Sequence, residues 1–387
     1  MATAVQPRTR PLPLPAHVRL PALRHFGPNW YAPVMGTAIV AGAGAALPYR
    51  VPGLRGTCVA FWAVSAVLLA VVLIARAGHW LHHPDQARAH LLDPAVAPFH
   101  GCLSMALLAV GGGTLVVGRD VVGQSAAVAV DAALFTVGTG VGLAAAVAIP
   151  YLMAVRHRAR PADASPVWLL PVVAPMVSAA LGPLLVPYLP EGAAREALLL
   201  ACYAMFGLSL LATLLILPMI CARLVRRGPL PLALTPALFL VLGPLGQSTT
   251  AVGQLADVAP GAIGEPYAAA LGTFAVVHGV PVMGFALLWM ALAGTTVVRA
   301  ARRGMPFAMT WWAFTFPVGT CVTGAAGLAR RTGLPAFEWL AAGLFVFLVA
   351  AWAVTGFRTL LGLRGGVLLA APEPALNGGD GRPGARP

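Results

Sequence analysis

The chain reads as an all-α membrane protein, ten transmembrane helices paired as five helical hairpins around a central pore. Hydrophobic residues are 59% of the chain, charged residues 10%, and the mean hydropathy is +0.83. A soluble domain of 387 residues with that balance would aggregate. The apolar residues fall into ten runs, each long enough to supply the roughly 20 residues that carry a helix across the hydrocarbon core. Helix-breaking residues concentrate on alternate runs. In lipid a helix can leave backbone groups unpaired only where protein or water takes them over. The broken runs are therefore expected inside, along a water-accessible path, with the unbroken runs outside against lipid.

In chain order the runs are 30–47, 58–75, 99–117, 126–154, 167–189, 197–222, 232–255, 267–298, 307–328 and 339–357. Pro33 and Gly36 break the first, and the second is unbroken. Gly111, Gly112 and Gly113 interrupt the third; Gly138, Gly140 and Gly142 in the fourth suit close helix contact, and its Pro150 lies near the end. Pro171, Pro175 and Pro183 break the fifth, whereas Pro218 only marks the end of the sixth. Pro236, Gly243 and Pro244 break the seventh. The eighth is the exception among even runs, with Pro281 at its centre; Pro317 and Gly319 break the ninth, and the tenth is unbroken. In a helix interior each Pro removes a hydrogen bond and bends the axis. Trp30, Trp168 and the Trp311–Trp312 pair open three of the broken runs, where indole favours the headgroup layer.

The net charge is +13 and every basic residue is arginine. With sides alternating along the chain, nineteen arginines share the side of both termini, against Arg50, Arg55, Arg119, Arg195, Arg330 and Arg331 on the other. This asymmetry reads as topology rather than nucleic-acid binding, and it puts both termini in the cytoplasm. The lysine-free, Ala-, Gly- and Arg-rich composition points to a GC-rich genome and a bacterial inner (cell) membrane. Residues 1–24 have no apolar core ahead of a cleavage site and are expected to be unstructured, as is the Pro- and Gly-rich tail 366–387; residues 25–365 form the transport domain. The five cysteines have no paired spacing, so neither a disulfide framework nor a zinc site is expected. His79, His82, His83 and His90 cluster on the connection 78–98, which resembles an interfacial segment more than a metal site, and no cofactor is expected.

An enzyme or an ion-coupled pump would show titratable clusters at membrane depth. Only Asp131 in the fourth run and His278 in the eighth are clearly intramembrane, with His100 at the edge of the third. Asp131 and His278 are candidate proton-responsive groups, both on even runs. A pore without fixed charge still favours anions through helix dipoles, hydroxyl donors and a basic rim, and weak sites let an anion leave as easily as it arrives. Candidate polar liners are Thr37, Ser104, Thr114, Ser178, Gln247, Ser248, Thr249 and Thr320, with Met35, Gly36, Gly101, Pro175, Gly243, Pro244 and Pro317 beside the breaks. In the ninth run Phe314 and Phe316 precede Pro317. An aromatic ring there could close the lumen by excluding water.

The run from His25 to Thr37, HFGPNWYAPVMGT, resembles the opening signature of the tellurite-resistance and C4-dicarboxylate transporter family, which includes fungal malate and sulfite transporters and the slow anion channels of plant guard cells. FHGCLSM at 99–105 resembles the start of that family's third helix, and GPLGQS at 243–248 its seventh-helix motif. The resemblance implies ten helices in quasi-five-fold symmetry with the odd ones inside, and a homotrimer in which each protomer has its own pore. It also implies a pore-occluding Phe on the ninth helix, which falls on Phe316 through the Thr-Phe-Pro match, Phe314 being two residues away. The chain departs from the pattern at His100 and in the three glycines that replace a Pro kink in the third helix. The expected function is transport of a C4-dicarboxylate, a sulfite- or tellurite-type oxyanion or a small monovalent anion through a Phe-gated pore of low fixed charge. Proton-coupled dicarboxylate or malate carriage is the alternative, and a polytopic membrane enzyme a remote one.

Overall fold

The computed structural model describes residues 23–49, 51–157, 160 and 163–369. The two segments expected to be unstructured lie outside the described residues apart from 23–24 and 366–369. The described chain is helical throughout, with no strand. Its α-helices are α1 (Tyr31–Ala46), α2 (Leu54–His82), α3 (Pro84–Leu92), α4 (Gly101–Gly113), α5 (Arg119–Val122), α6 (Gln124–Val155), α7 (Leu169–Leu181), α8 (Ala193–Arg227), α9 (Leu242–Val258), α10 (Tyr267–Arg302), α11 (Phe316–Thr332) and α12 (Pro335–Arg364). Among the described residues nine helical stretches are long and apolar enough to cross a membrane. The first apolar run is shorter, 16 residues of α1 behind a single 3-10 turn at Pro28–Trp30.

Burial alternates along the chain. The most apolar stretches of 97–122, 166–188, 232–261 and 309–332 are 89%, 89%, 78% and 89% buried, whereas those of α2, α6, α8, α10 and α12 are only 22–33% buried. The lipid-facing helices are continuous α-helix, because exposed backbone in hydrocarbon has no partner but its own carbonyls. Interruptions sit on the buried stretches: 3-10 turns at Ala97–His100, Pro166–Trp168, Leu232–Val241 and Met309–Phe314 precede α4, α7, α9 and α11, a π segment at Thr114–Gly118 follows α4, and a 3-10 segment at Gly182–Tyr188 follows α7.

The prolines act differently from the interior kinks expected. Pro33, Pro171, Pro244 and Pro317 stand in the first turns of α1, α7, α9 and α11, where the missing N–H has no intrahelical acceptor to lose. Pro183 and Pro236 lie within 3-10 segments, which leaves Pro175 alone inside a buried α-helix. Pro150, Pro218 and Pro281 are absorbed within continuous outer helices. Two of the indoles are packed within the protein: Trp30 is buried and stacked on Phe26, and Trp312 is buried with its Nε1 donating to Thr359 Oγ1.

Each outer helix packs on the buried helix before it: α2 on α1, α6 on α4, α8 on α7, α10 on α9 and α12 on α11. The buried helices pack in sequence, α1 on α4, α4 on α7, α7 on α9 and α9 on α11, and α11 returns to α1. Two glycines allow the closest approaches to a neighbouring backbone. A Cβ on Gly246 would stand 2.5 Å from the Cys321 backbone nitrogen, and one on Gly101 would stand 2.5 Å from the Leu170 carbonyl oxygen. Hydrogen bonds tie the layers together, among them Ser104 Oγ to Gly138 O (2.6 Å), Ser209 Oγ to Val172 O (2.6 Å), Trp289 Nε1 to Leu238 O (2.9 Å) and Trp352 Nε1 to Thr37 Oγ1 (2.9 Å). At about 0.6 kcal/mol each in a bilayer, such bonds fix rotation more than they hold the helices together, which leaves cohesion to packing.

The connection after α2 carries α3, tied to the chain's first described residues. Arg76 donates to Phe26 O (2.6 Å), His79 Nδ1 donates to Leu23 O (2.8 Å), and Arg24 pairs with Asp85 (2.9 Å). The His90 ring on α3 stacks on His79 with centroids 5.2 Å apart. Among the described residues no group of three or more His, Cys, Asp or Glu is placed to hold a metal. Burial, and after it the charges of His79, Arg76 and His100, hold His90 down to about 4. The folded chain therefore keeps this imidazole neutral while the unfolded chain takes up a proton near the ordinary value of about 6.5. Protons bind the unfolded state first, so this contribution to stability is present above about 6.5 and is lost as the pH falls towards 4. The thermal midpoint in detergent should fall over that range, and His90→Gln should flatten the fall; an unchanged slope in the variant would refute the assignment.

Candidate functional site

The buried helices enclose a cavity of about 290 Å³. All five contribute: Ala38, Ile39, Gly42, Ala45 and Ala46 from α1, Ala109, Gly112 and Gly113 from α4, Val177 and Leu181 from α7, Gln247, Thr250 and Gln254 from α9, and Phe316, Thr323 and Arg330 from α11. A second cavity of about 20 Å³, roughly enough for one water, lies among the N-terminal parts of the same stretches, bordered by Met35, Phe99, Cys102, Leu170, Leu240 and Pro317 among others. Consecutive residues thus border different spaces: Phe316 lines the large cavity and Pro317 the small one. The Phe316 ring is 3% exposed, at the start of α11.

Phe314 borders neither cavity. Its ring meets Phe239 edge-on at 4.9 Å and Trp311 at 5.9 Å. Phe314 ends the 3-10 turn and Phe316 opens α11, with Thr315 between them at φ −99°, ψ −78°, so the two rings enter different surroundings.

The large cavity has two unlike walls. Its sides from α1, α4 and α7 are entirely apolar, whereas α9 and α11 present Gln247, Thr250, Gln254, Thr323 and Arg330. Their spacings of three, four and seven residues keep one face of each helix turned to the cavity. At the outer end the exposed Arg330 donates to Ala46 O (3.3 Å) and has no carboxylate partner among the described residues, while Arg331 pairs with Asp257 (2.5 Å).

Of the residues expected to line the lumen, Gln247 borders the large cavity and Met35 and Pro317 the small one. Most of the hydroxyls expected to line the lumen border neither cavity and hydrogen-bond to protein. Thr37 Oγ1 donates to Pro33 O (2.7 Å) and accepts from Trp352, and Thr114 Oγ1 donates to Val110 O (2.8 Å) and accepts from Trp62. Ser104 reaches Gly138 O, and Ser178 Oγ accepts from Thr139 Oγ1 at 2.9 Å. Ser248 and Thr249 donate to Leu245 O, and Thr320 donates to Pro317 O (2.7 Å). In a medium without water a hydroxyl takes the nearest backbone carbonyl, on its own helix or the next one. Gly36 is packed against Thr315 and Trp312, and Gly101 against Leu170. Gly243, Pro175 and Pro244 are buried and border neither cavity.

The two candidate proton-responsive groups also stand outside. Asp131 is 2% exposed on α6, its Oδ1 2.7 Å from where a Cβ of Gly111 would be, and its Oδ2 has no partner. His278 Nε2 lies 3.2 Å from Ser248 Oγ, with the ring between Phe206 and Phe274, each at 5.3 Å. Residues not singled out from sequence are Thr250, Gln254 and Thr323, and Arg330 had been read only as a topology marker. The signal that carries them is periodic: Phe316, Thr323 and Arg330 repeat every seven residues.

Comparison with known proteins matches residues 25–360 to a family described as SLAC1, voltage-dependent anion channel. The chain is 27% identical over 339 residues to a sulfite efflux pump of Trichophyton rubrum, covering 86% of this chain and 89% of that protein. It is 26% identical over 339 residues to a sulfite efflux pump of Arthroderma benhamiae, with the same coverage of 86% and 89%. It is also 25% identical over 343 residues to an uncharacterized transporter of Methanocaldococcus jannaschii, covering 88% of this chain and 94% of that protein.

Proposed function

The chain belongs to the SLAC1 family of voltage-dependent anion channels, and we propose that it passes a small anion along the lumen of its buried helices, closed at Phe316. It is a multi-pass membrane protein that transports and does not catalyse. One observation carries the proposal: the Phe316 ring ends a cavity of about 290 Å³ to which every buried helix contributes, and the next residue borders the space beyond. The alternation of burial and the return of α11 to α1 support ten crossings arranged as five hairpins about that lumen. The arginine asymmetry supports a cytoplasmic position, in a bacterial inner membrane, for the face where the buried helices begin.

The lumen favours low charge. An ion's desolvation cost rises steeply with its charge, and among the described residues the only ionisable group bordering the cavity is Arg330. A dicarboxylate dianion would cross the apolar walls without a counter-charge, whereas a singly charged anion meets a smaller barrier. The fungal relatives carry the name sulfite efflux pump, which makes a sulfur oxyanion the first substrate to try. Proton-coupled carriage needs a titratable group at the lumen, and Asp131 and His278 stand away from it.

The test is flux into proteoliposomes of chloride, nitrate, sulfite and malate, compared side by side with and without a pH gradient. Flux of the small anions should exceed that of malate and persist without the gradient. Absence of flux for every anion would remove the proposal, and flux that collapses with the gradient would replace the channel by a carrier.

A further inference from the structure

The polar wall of the large cavity has a donor and acceptor balance that narrows the kind of anion it suits. Thr250 Oγ1 and Thr323 Oγ1 are 2.7 Å apart. Thr250 Oγ1 is also 3.0 Å from Gly246 O and 3.2 Å from Thr320 O, and Thr323 Oγ1 is 3.0 Å from Thr320 O. Two hydroxyls carry two protons. When one lies between the two oxygens the other goes to a carbonyl, so both are taken up by protein and the pair presents lone pairs to the cavity. One turn nearer Phe316, the Gln247 side chain is 4% exposed, borders the same cavity and makes no hydrogen bond among the described residues, and its Oε1 is buried without a partner there. It offers amide donors and a carbonyl acceptor together.

An anion that brings no proton finds acceptors at the threonine pair and must draw a hydroxyl proton away from its carbonyl to be bound there. A dianion fares worse still. A singly charged oxyanion that keeps one acidic proton fits as it stands: its charged oxygens take the Gln247 amide N–H groups, and its own O–H donates to the threonine lone pairs or to Gln247 Oε1. Building on the transport function above, we propose that this lumen selects the monoprotonated anion of a small oxyacid, of the hydrogensulfite type, with Gln247, Thr250 and Thr323 as the selecting groups.

The experiment uses the full chain in proteoliposomes, with sulfite and nitrate as probes, across the pH range in which sulfite passes from the singly to the doubly charged form. In the wild type, sulfite flux should follow the hydrogensulfite fraction and fall as pH rises, while nitrate flux in matched vesicles stays level. The shape-conserving double variant Thr250→Val with Thr323→Val should lower the hydrogensulfite-to-nitrate flux ratio by about tenfold, the worth of one hydrogen bond, and its nitrate flux reports that it has folded and inserted. Sulfite flux that rises with pH, or a ratio unchanged in a variant that still conducts nitrate, would overturn the selection while leaving transport standing. If the variant does not insert, the wild-type pH profile decides alone. If neither anion crosses in the wild type, the transport proposal itself falls and takes this one with it.

Discussion

Phe316→Ala raises anion flux through the reconstituted protein by about tenfold or more, the change expected when a barrier loses at least 1.4 kcal/mol. The ring is 3% exposed and lines a cavity of about 290 Å³, and Pro317 beside it borders one of about 20 Å³. Removal of the ring joins them, and a widened constriction holds water where a dry one excluded it. Phe314 provides the control. Its ring is spent on Phe239 and Trp311, so Phe314→Ala should leave flux per folded protein unchanged and instead cost stability on the order of 3–5 kcal/mol, as buried Phe→Ala changes do. Flux by single-vesicle assay and the thermal midpoint in detergent separate the two effects. If the conductance gain appeared in Phe314→Ala and not in Phe316→Ala, the ring assigned to the constriction would be the wrong one.

Gly246→Ala is expected to be the most damaging small substitution at the helix contacts. The added Cβ would lie 2.5 Å from the Cys321 backbone nitrogen and 2.6 Å from the Thr320 backbone carbon, and backbone cannot rotate out of the way as a side chain can. Helix propensity alone favours Ala over Gly by about 1 kcal/mol, whereas overpacking costs about 1–3 kcal/mol, with α11 itself as the obstacle here. The clash therefore sets the sign. Gly253, on the same helix, has open space around its missing Cβ, so Gly253→Ala should be neutral or slightly stabilising. A drop of the thermal midpoint in Gly246→Ala beside an unchanged or raised one in Gly253→Ala would confirm that the α9–α11 contact is limited by backbone. Equal midpoints would show that the two helices can move apart freely. Because Gln247 and Thr250 ride on α9, whatever Gly246→Ala survives should also show altered anion selectivity.

Legibility differed between the backbone and the side chains. The ten apolar runs and the concentration of breakers on alternate ones were visible in sequence, and the broken stretches are the buried ones. The manner of breaking was not visible. Pro33, Pro171, Pro244 and Pro317 look like interior kinks in a bare apolar run, yet each stands in the first turn of an α-helix, because the 3-10 turn ahead of it cannot be told from α-helix by hydropathy. Among candidate site residues, Phe316, Gln247, Met35 and Pro317 border the cavities while Thr37, Ser104, Ser178, Ser248 and Thr320 do not. Thr250 and Thr323, which line the large cavity, carry the same hydroxyl as Thr37 and Thr320, which do not, so residue chemistry alone does not separate them.

By itself the sequence determined what lipid and water impose on any chain: helices throughout, with the unbroken ones on the outside of the bundle. These follow from transfer free energy and from the need to pair every backbone group, which are summed residue by residue and need no knowledge of neighbours. Only the tertiary structure decided how far each buried helix is turned about its axis. That rotation is set by close contacts such as Gly246 on Cys321 and by hydrogen bonds such as Ser104 to Gly138, between residues far apart in the chain. It is the rotation that put Phe316 rather than Phe314 at the end of the cavity, and Thr250 and Thr323 rather than Ser248 and Thr320 on its wall.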